Sequence, residues 1–139
     1  MPTVLYAEDD PEHQLMMRVV LKDTNITLVE AMDGQDALKK IRDYRPDLIL
    51  LDLFMPRLDG YGVLKAIKSN PVTREIPVVV LSAWPTGDNR ERAKKAGAID
   101  FIAKPYKPIE LAKQIKGYLS IQTDSESVAS KPDTAPHSV

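Results

Sequence analysis

Four short apolar runs in this 139-residue chain each end in side chains that can do chemistry. TVLYA runs into Glu8, Asp9 and Asp10, LILL into Asp52, VVVL into Ser82, and FIA into Lys104-Pro105. If these runs are neighbouring parallel strands, several carboxylates, a hydroxyl and an ammonium converge on one edge of a sheet. Clustered carboxylates without a cation repel one another and raise each other's pKa. A hard divalent cation removes that repulsion. Ligation by two or three carboxylates with open water positions is the Mg²⁺ pattern, with Mn²⁺ as the alternative. The lack of Cys and the presence of only two His disfavour zinc. A metal beside a carboxylate and a lysine suits phosphoryl transfer, where positioning and charge neutralisation supply most of the catalysis.

The elements that must position these groups repeat one unit: an apolar β-rich run, a polar turn, then an amphipathic stretch. Strands are predicted at Thr3 to Ala7, Ile26 to Glu30, Leu48 to Leu51, Val78 to Leu81 and Phe101 to Ala103. The third and fourth are apolar on both faces, as in a parallel sheet covered on both sides. Helices are predicted at Pro11 to Lys22, with Leu15 and Val19 inward, and at Gln35 to Tyr44, with Ala37, Leu38 and Ile41 inward. Three more follow at Gly62 to Ser69 (Val63, Leu64, Ile67), Asp88 to Ala96, and Pro108 to Leu119 (Leu111, Ile115, Leu119). Spacings of three and four put these apolar side chains on one helical face. Asp10-Pro11 reads as a helix cap and first helical residue, Asp33 as the cap of the second helix, and Gly97 as the stop of the fourth. Five βα units with short connections define an α/β, three-layer, doubly wound parallel sheet, in which ligands bind beyond the carboxyl ends of the strands.

Composition narrows the function classes. Nineteen Lys and Arg against twenty Asp and Glu give a net charge of −1, so no basic field exists to hold nucleic acid. The start MPTVLYAEDD lacks the basic opening and long apolar core of a signal peptide, and no apolar run approaches the roughly 18 residues of a membrane span. A cytoplasmic protein without membrane insertion is expected. From Ser120 the sequence SIQTDSESVASKPDTAPHSV turns polar and loses apolar periodicity. Residues 1–119 are therefore expected to fold as one domain, and 120–139 to form a disordered tail.

The ordered set EDD, DLILLDLFMPRLDG, VVVLSA and GAIDFIAKP resembles the receiver domain of bacterial two-component response regulators, of the single-domain, chemotaxis-regulator-like type. The resemblance spans Thr3 to Leu119 and implies the flavodoxin-like strand order 2-1-3-4-5. It implies that Asp52 accepts a phosphoryl group from a phosphohistidine on a sensor histidine kinase or histidine phosphotransfer protein. It also implies a Mg²⁺ ion held by Asp9, Asp52 and the Phe54 backbone carbonyl, with Glu8 acting through water. Aligned on the preceding strand, Glu8 and Asp9 are the metal pair and Asp10 caps the first helix; one residue later, the pair is Asp9 and Asp10. Ser82 and Lys104 stand where the family binds phosphoryl oxygens, and Pro105 where a cis peptide aims the lysine inward.

On phosphorylation Ser82 would move inward and Phe101, at the aromatic switch position where Tyr is commoner, would rotate behind it. The output would be a downstream protein docked on the fourth helix, fifth strand and fifth helix. The resemblance thus implies a phosphorylatable switch, with self-phosphotransfer and slow autodephosphorylation but no turnover of substrate, as a monomer or weak dimer.

Plainer readings stand beside these. Acids before a helix favour its positive end, which accounts for Asp10. Asp59-Gly60 reads as loop chemistry, Arg90, Arg92, Lys94 and Lys95 as a solvated helix face, and His13 and His137 receive no role. Trp84 and Pro85 are departures in the loop after Ser82 that can tailor partner contacts. An aspartyl-phosphate hydrolase of similar fold is the enzyme alternative, but it needs an acid two residues after the nucleophile, where this chain has Phe54. A receiver-like module that is never phosphorylated is the remaining alternative, disfavoured by the filled site. The length leaves no room for a fused output domain, so a stand-alone switch is expected, signalling by protein contact or by passing the phosphoryl group on.

Overall fold

The computed structural model describes residues 1–55 and 57–130, with side chains through Ser120. Five strands alternate with five helices: β1 (Thr3–Ala7), α1 (Pro11–Leu21), β2 (Thr27–Ala31), α2 (Gly34–Tyr44), β3 (Leu48–Asp52), α3 (Gly60–Ser69), β4 (Val78–Ser82), α4 (Gly87–Lys95), β5 (Asp100–Ala103) and α5 (Pro108–Ser130). The strands form one parallel sheet in the order β2-β1-β3-β4-β5, the flavodoxin-like order expected. Register pairs Ala7 with Leu51, Asp52 with Leu81, and Ser82 with Ala103, so the four strand ends bearing the candidate groups come out level with one another.

The unbroken apolar runs do what they predict. On one face Leu5, Ala7, Ile49, Leu51, Val78 and Val80 join Ala37 and Ile41 of α2, Val63, Leu64 and Ile67 of α3, and Ala93 of α4 in a single buried cluster. Residues alternating with these, including Tyr6, Leu48, Leu50, Val79 and Leu81, are also fully buried, so the sheet is covered on both faces. Each such side chain contributes roughly 2 kcal/mol of transfer free energy.

The inward face of α1 differs from expectation. Leu15 and Val19 are 56% and 63% exposed, whereas Gln14, Met17, Val20 and Leu21 are buried. LMMRVVL is apolar nearly all the way round, so periodicity leaves its burial face open. Two polar contacts settle the rotation. Gln14 Nε2 donates to the carbonyls of Tyr6, Glu8 and Ala31, each at 3.1 Å, and Arg18 pairs with Glu30 of β2. The helix is thereby docked by its polar side chains at the carboxyl ends of β1 and β2.

Caps follow the sequence closely. Asp10 Oδ1 accepts the Glu12 N–H at 2.9 Å, with Pro11 first in the helix, and Asp33 Oδ1 accepts the Asp36 N–H at 2.8 Å. Gly97, in the left-handed region at φ 110°, follows α4. Asp59, read as loop chemistry, caps α3 by accepting the Gly62 N–H, so that helix starts at Gly60 rather than Gly62.

Gly60 also lies on the backbone that carries Asp52: a Cβ there would stand 2.3 Å from the Asp52 carbonyl oxygen and 2.5 Å from Leu53 Cα. Gly60→Ala is expected to lower unfolding stability by about 1–3 kcal/mol through overpacking. A urea midpoint equal to wild type would contradict this close approach.

From Lys107 onward the chain is the α5 unit. Leu111 and Ile115 are fully buried, as expected, and Leu119 is half-buried. The helix continues past the expected boundary at Leu119 to Ser130. No Gly or Pro interrupts 120–130, and a helical backbone satisfies its own hydrogen bonds without an apolar face. The rest of the expected tail, 131–139, lies outside the described residues.

Candidate functional site

Strand alternation places Tyr6 and Glu8 on the same side of β1, and Glu8 is the hub of the site although only 1% exposed. Its backbone N–H donates to Ala31 at 2.9 Å, which fixes the end of β1 against β2. Its Oε2 accepts the Asp10 N–H at 3.1 Å. Its Oε1 accepts the Tyr6 hydroxyl at 3.2 Å and the Lys104 ammonium, and lies 3.0 Å from His13 Nδ1. Burial alone would push the Glu8 carboxyl up; the hydrogen bond and charge of Lys104, aided by His13, bring it down to about 2.

Asp52 ends β3 and is 8% exposed. Its Oδ1 accepts the Phe54 N–H at 3.2 Å, and its Oδ2 is 3.6 Å from Lys104 Nζ. Burial raises its carboxyl to about 6 against the opposing charge of Lys104, and the charge of Glu8 adds to the rise. Asp9, exposed at the rim, is raised by burial and by its Glu8 neighbour. One carboxylate oxygen from each of Glu8, Asp9 and Asp52 lies within 4.8 Å of the others. Asp10 is not in this group, because its carboxylate caps α1.

Three carboxylates so close, two of them carrying raised pKa values, make a donor set that fits a hard divalent cation. Lys104 supplies positive charge to the same cluster, but on the Glu8 side.

The remaining expected residues take these places. Lys104 is positioned by its own N–H, which donates to Ser82 at 2.8 Å, and the Lys104-Pro105 peptide is cis. Ser82 is fully buried, and its Oγ accepts the Trp84 N–H at 3.0 Å. The side chains of Phe54 and Trp84 are exposed beside the Asp52 and Ser82 strand ends. Phe101 is half-buried against the core, with the Arg90 guanidinium 4.9 Å from its ring centroid; Arg92 similarly covers Tyr61 at 3.7 Å. Two cations of the face read as merely solvated thus stack on aromatic rings. The loop after Asp52 is tied down by Arg57, which has φ 69° and donates to Asp33 Oδ2 at 2.6 Å.

Two site residues escape a reading of strand ends alone. Tyr6 is signalled by its period-two relation to Glu8. His13 sits in the first turn of α1, three residues after the cap, where only the docking of that helix brings its ring to Glu8.

A level row of carboxylates, a buried hydroxyl and a cis-proline lysine at the carboxyl edge of a 2-1-3-4-5 sheet defines a phosphoacceptor signalling module. The response regulator receiver domain family matches residues 4–116, and the chain belongs to it. It is 37% identical over 116 residues to the phosphate regulon transcriptional regulatory protein PhoB of Escherichia coli (strain K12), covering 84% of this chain and 51% of that protein. The chain spans about half the length of the curated relatives it matches.

Among solved structures it is similar to the receiver domain of a putative Luxo repressor protein from Vibrio parahaemolyticus, with TM-score 0.85, 28% identity, and coverage of 91% of this chain and 96% of that one. It is also similar to the receiver domain of a sensor histidine kinase from Pseudomonas aeruginosa PAO1, solved with a magnesium ion coordinated in the active-site cleft. There the TM-score is 0.78 at 29% identity, over 86% of this chain and 98% of that one. Among the described residues no helix is long and apolar enough to cross a membrane.

Proposed function

We propose that Asp52 is the phosphoacceptor of this receiver, taking its phosphoryl group from a phosphohistidine on a sensor histidine kinase or histidine phosphotransfer protein. A carboxylate oxygen of Asp52 forms the new bond to phosphorus as the bond to the histidine nitrogen breaks, and the released imidazole takes up a proton. The observation that carries the reading is the joint placement of Asp52, Asp9 and Glu8 within 4.8 Å, with Lys104 3.6 Å from Asp52.

Asp9, Asp52 and the Phe54 carbonyl would hold a divalent cation, Mg²⁺ or Mn²⁺, and Glu8 would orient its water. Such an ion supplies charge neutralisation of the phosphoryl oxygens. Lys104 and Ser82 donate to those oxygens, and Phe101 repacks against the space Ser82 leaves. Release of phosphate is slow hydrolysis of the chain's own acyl phosphate, and the signal passes by protein contact or by transfer of the phosphoryl group. We further propose a cytoplasmic, monomeric or weakly dimeric switch that acts without a fused output domain.

Acetyl phosphate with Mg²⁺ is expected to add one phosphoryl group to the chain, located at Asp52 by intact and fragment mass. An adduct elsewhere, or one unaffected by EDTA, overturns the assignment.

The roles of the acids separate by titration with Mg²⁺. Glu8→Gln is expected to weaken binding by about tenfold, as loss of a group that orients a metal's surroundings does. Asp10→Asn should leave binding within about twofold, because Asn also caps helices. The opposite order would move the metal pair to Asp9 and Asp10.

A further inference from the structure

We propose that His13 is a positioning residue that takes over the Glu8 carboxylate when Lys104 leaves it for a phosphoryl group on Asp52; this rests on the phosphoacceptor reading of Asp52. In the unphosphorylated chain the Lys104 ammonium is committed to Glu8 Oε1 and stands 3.6 Å from Asp52, beyond hydrogen-bond reach. To donate to a group attached at Asp52 it must move away from Glu8. That would strip a carboxylate only 1% exposed of its one cationic partner, leaving the Tyr6 hydroxyl and the Asp10 N–H. A buried carboxylate so depleted either takes up a proton or turns away, and in both cases ceases to orient anything.

His13 is placed to prevent this. Its Nδ1 lies 3.0 Å from Glu8 Oε1 and 3.1 Å from Lys104 Nζ, and its Nε2 is 3.6 Å from Asp10 Oδ2. A single ring nitrogen cannot accept from the ammonium and donate to the carboxylate at once. The two contacts are therefore alternatives: Nδ1 accepts from Lys104 while the lysine is on Glu8, and donates to Glu8 once the lysine has gone. The ring, 44% exposed, can exchange tautomers through solvent. The first turn of α1 is held at the sheet edge by the three Gln14 hydrogen bonds, so the imidazole needs no movement to make the second contact.

The consequence is dependence on state. Mg²⁺ binding to the full chain is measured by calorimetry with and without beryllium fluoride, a mimic of a phosphoryl group on a carboxylate. Without it, His13→Ala should bind Mg²⁺ within about twofold of wild type, because Lys104 still holds Glu8. With it, His13→Ala should need about tenfold more Mg²⁺, the size of effect expected when a group orienting a metal site is lost. His13→Asn, whose amide nitrogen stands near the place of Nδ1, should restore most of the loss.

Equal weakening in both conditions would reduce His13 to a structural role, and no weakening in either would remove it from the site; each overturns the proposal. If wild type forms no beryllium fluoride adduct, the phosphoacceptor reading itself fails, a result distinct from both.

Discussion

Asp52→Asn is expected to abolish phosphoryl labelling and at the same time to make the protein more stable at neutral pH. The first effect follows because an amide offers no anionic oxygen to attack phosphorus. The second follows from burial, which raises the Asp52 carboxyl from 3.8 to about 6 even with Lys104 nearby. Between those values the folded chain keeps a proton that the unfolded chain has released. Stability therefore falls as pH rises through this window, and the loss is complete above about pH 6.

Replacing the carboxylate by an amide removes the loss, about 2–3 kcal/mol at pH 7 and nothing below about pH 4. Asn keeps an oxygen for the Phe54 N–H that now reaches Asp52 Oδ1 at 3.2 Å, so the loop geometry is preserved. Urea unfolding without divalent cation at pH 7 and pH 4, with intact mass after acetyl phosphate treatment, measures both effects. A labelled variant, or one less stable than wild type at pH 7, contradicts the account.

Lys104→Met should have the opposite effect on stability. Glu8 has its carboxyl at about 2 rather than 4.5, so it contributes stability above about pH 4.5 that is lost as pH falls toward 2. Removing the ammonium leaves a buried, ionised group without its counter-charge, which costs about 3 kcal/mol at pH 7. Burial then dominates, Glu8 retains its proton in the folded state, and the variant gains stability as pH falls, reversing the wild-type slope. Adding Glu8→Gln should recover most of the loss, since the double variant buries no unpaired charge. A double-mutant cycle in urea at pH 7 and pH 4 isolates the pair. A loss below about 1 kcal/mol, or a slope of unchanged sign, would show that the pair does not hold this edge together.

Both expectations concern residues that the sequence itself brings forward, because they end apolar runs. LILL and VVVL can only be strands buried on both faces, and the acids, Ser82 and Lys104 that follow them must emerge at one edge of a parallel sheet. Caps at Asp10 and Asp33 were equally legible, since short polar side chains before an amphipathic stretch have one local use. Where the local pattern is ambiguous, sequence reading goes astray. LMMRVVL offers apolar residues to every side of α1, and the face that is buried depends on Gln14 and Arg18 finding partners on two strands distant in sequence. The polar residues after Leu119 lack apolar periodicity, yet nothing in them stops a helix before Ser130.

The sequence alone thus determined the layer architecture, the family and the acids, hydroxyl and lysine of the site. Periodicity and strand-end chemistry are local properties, written into neighbouring residues. Tertiary structure alone decided which way α1 turns, that Lys104 rests on Glu8 and not on Asp52, and that His13, isolated in sequence, stands against both. Those outcomes depend on distances between groups as many as 96 positions apart, where competing hydrogen bonds and burial choose among partners that no spacing rule can rank.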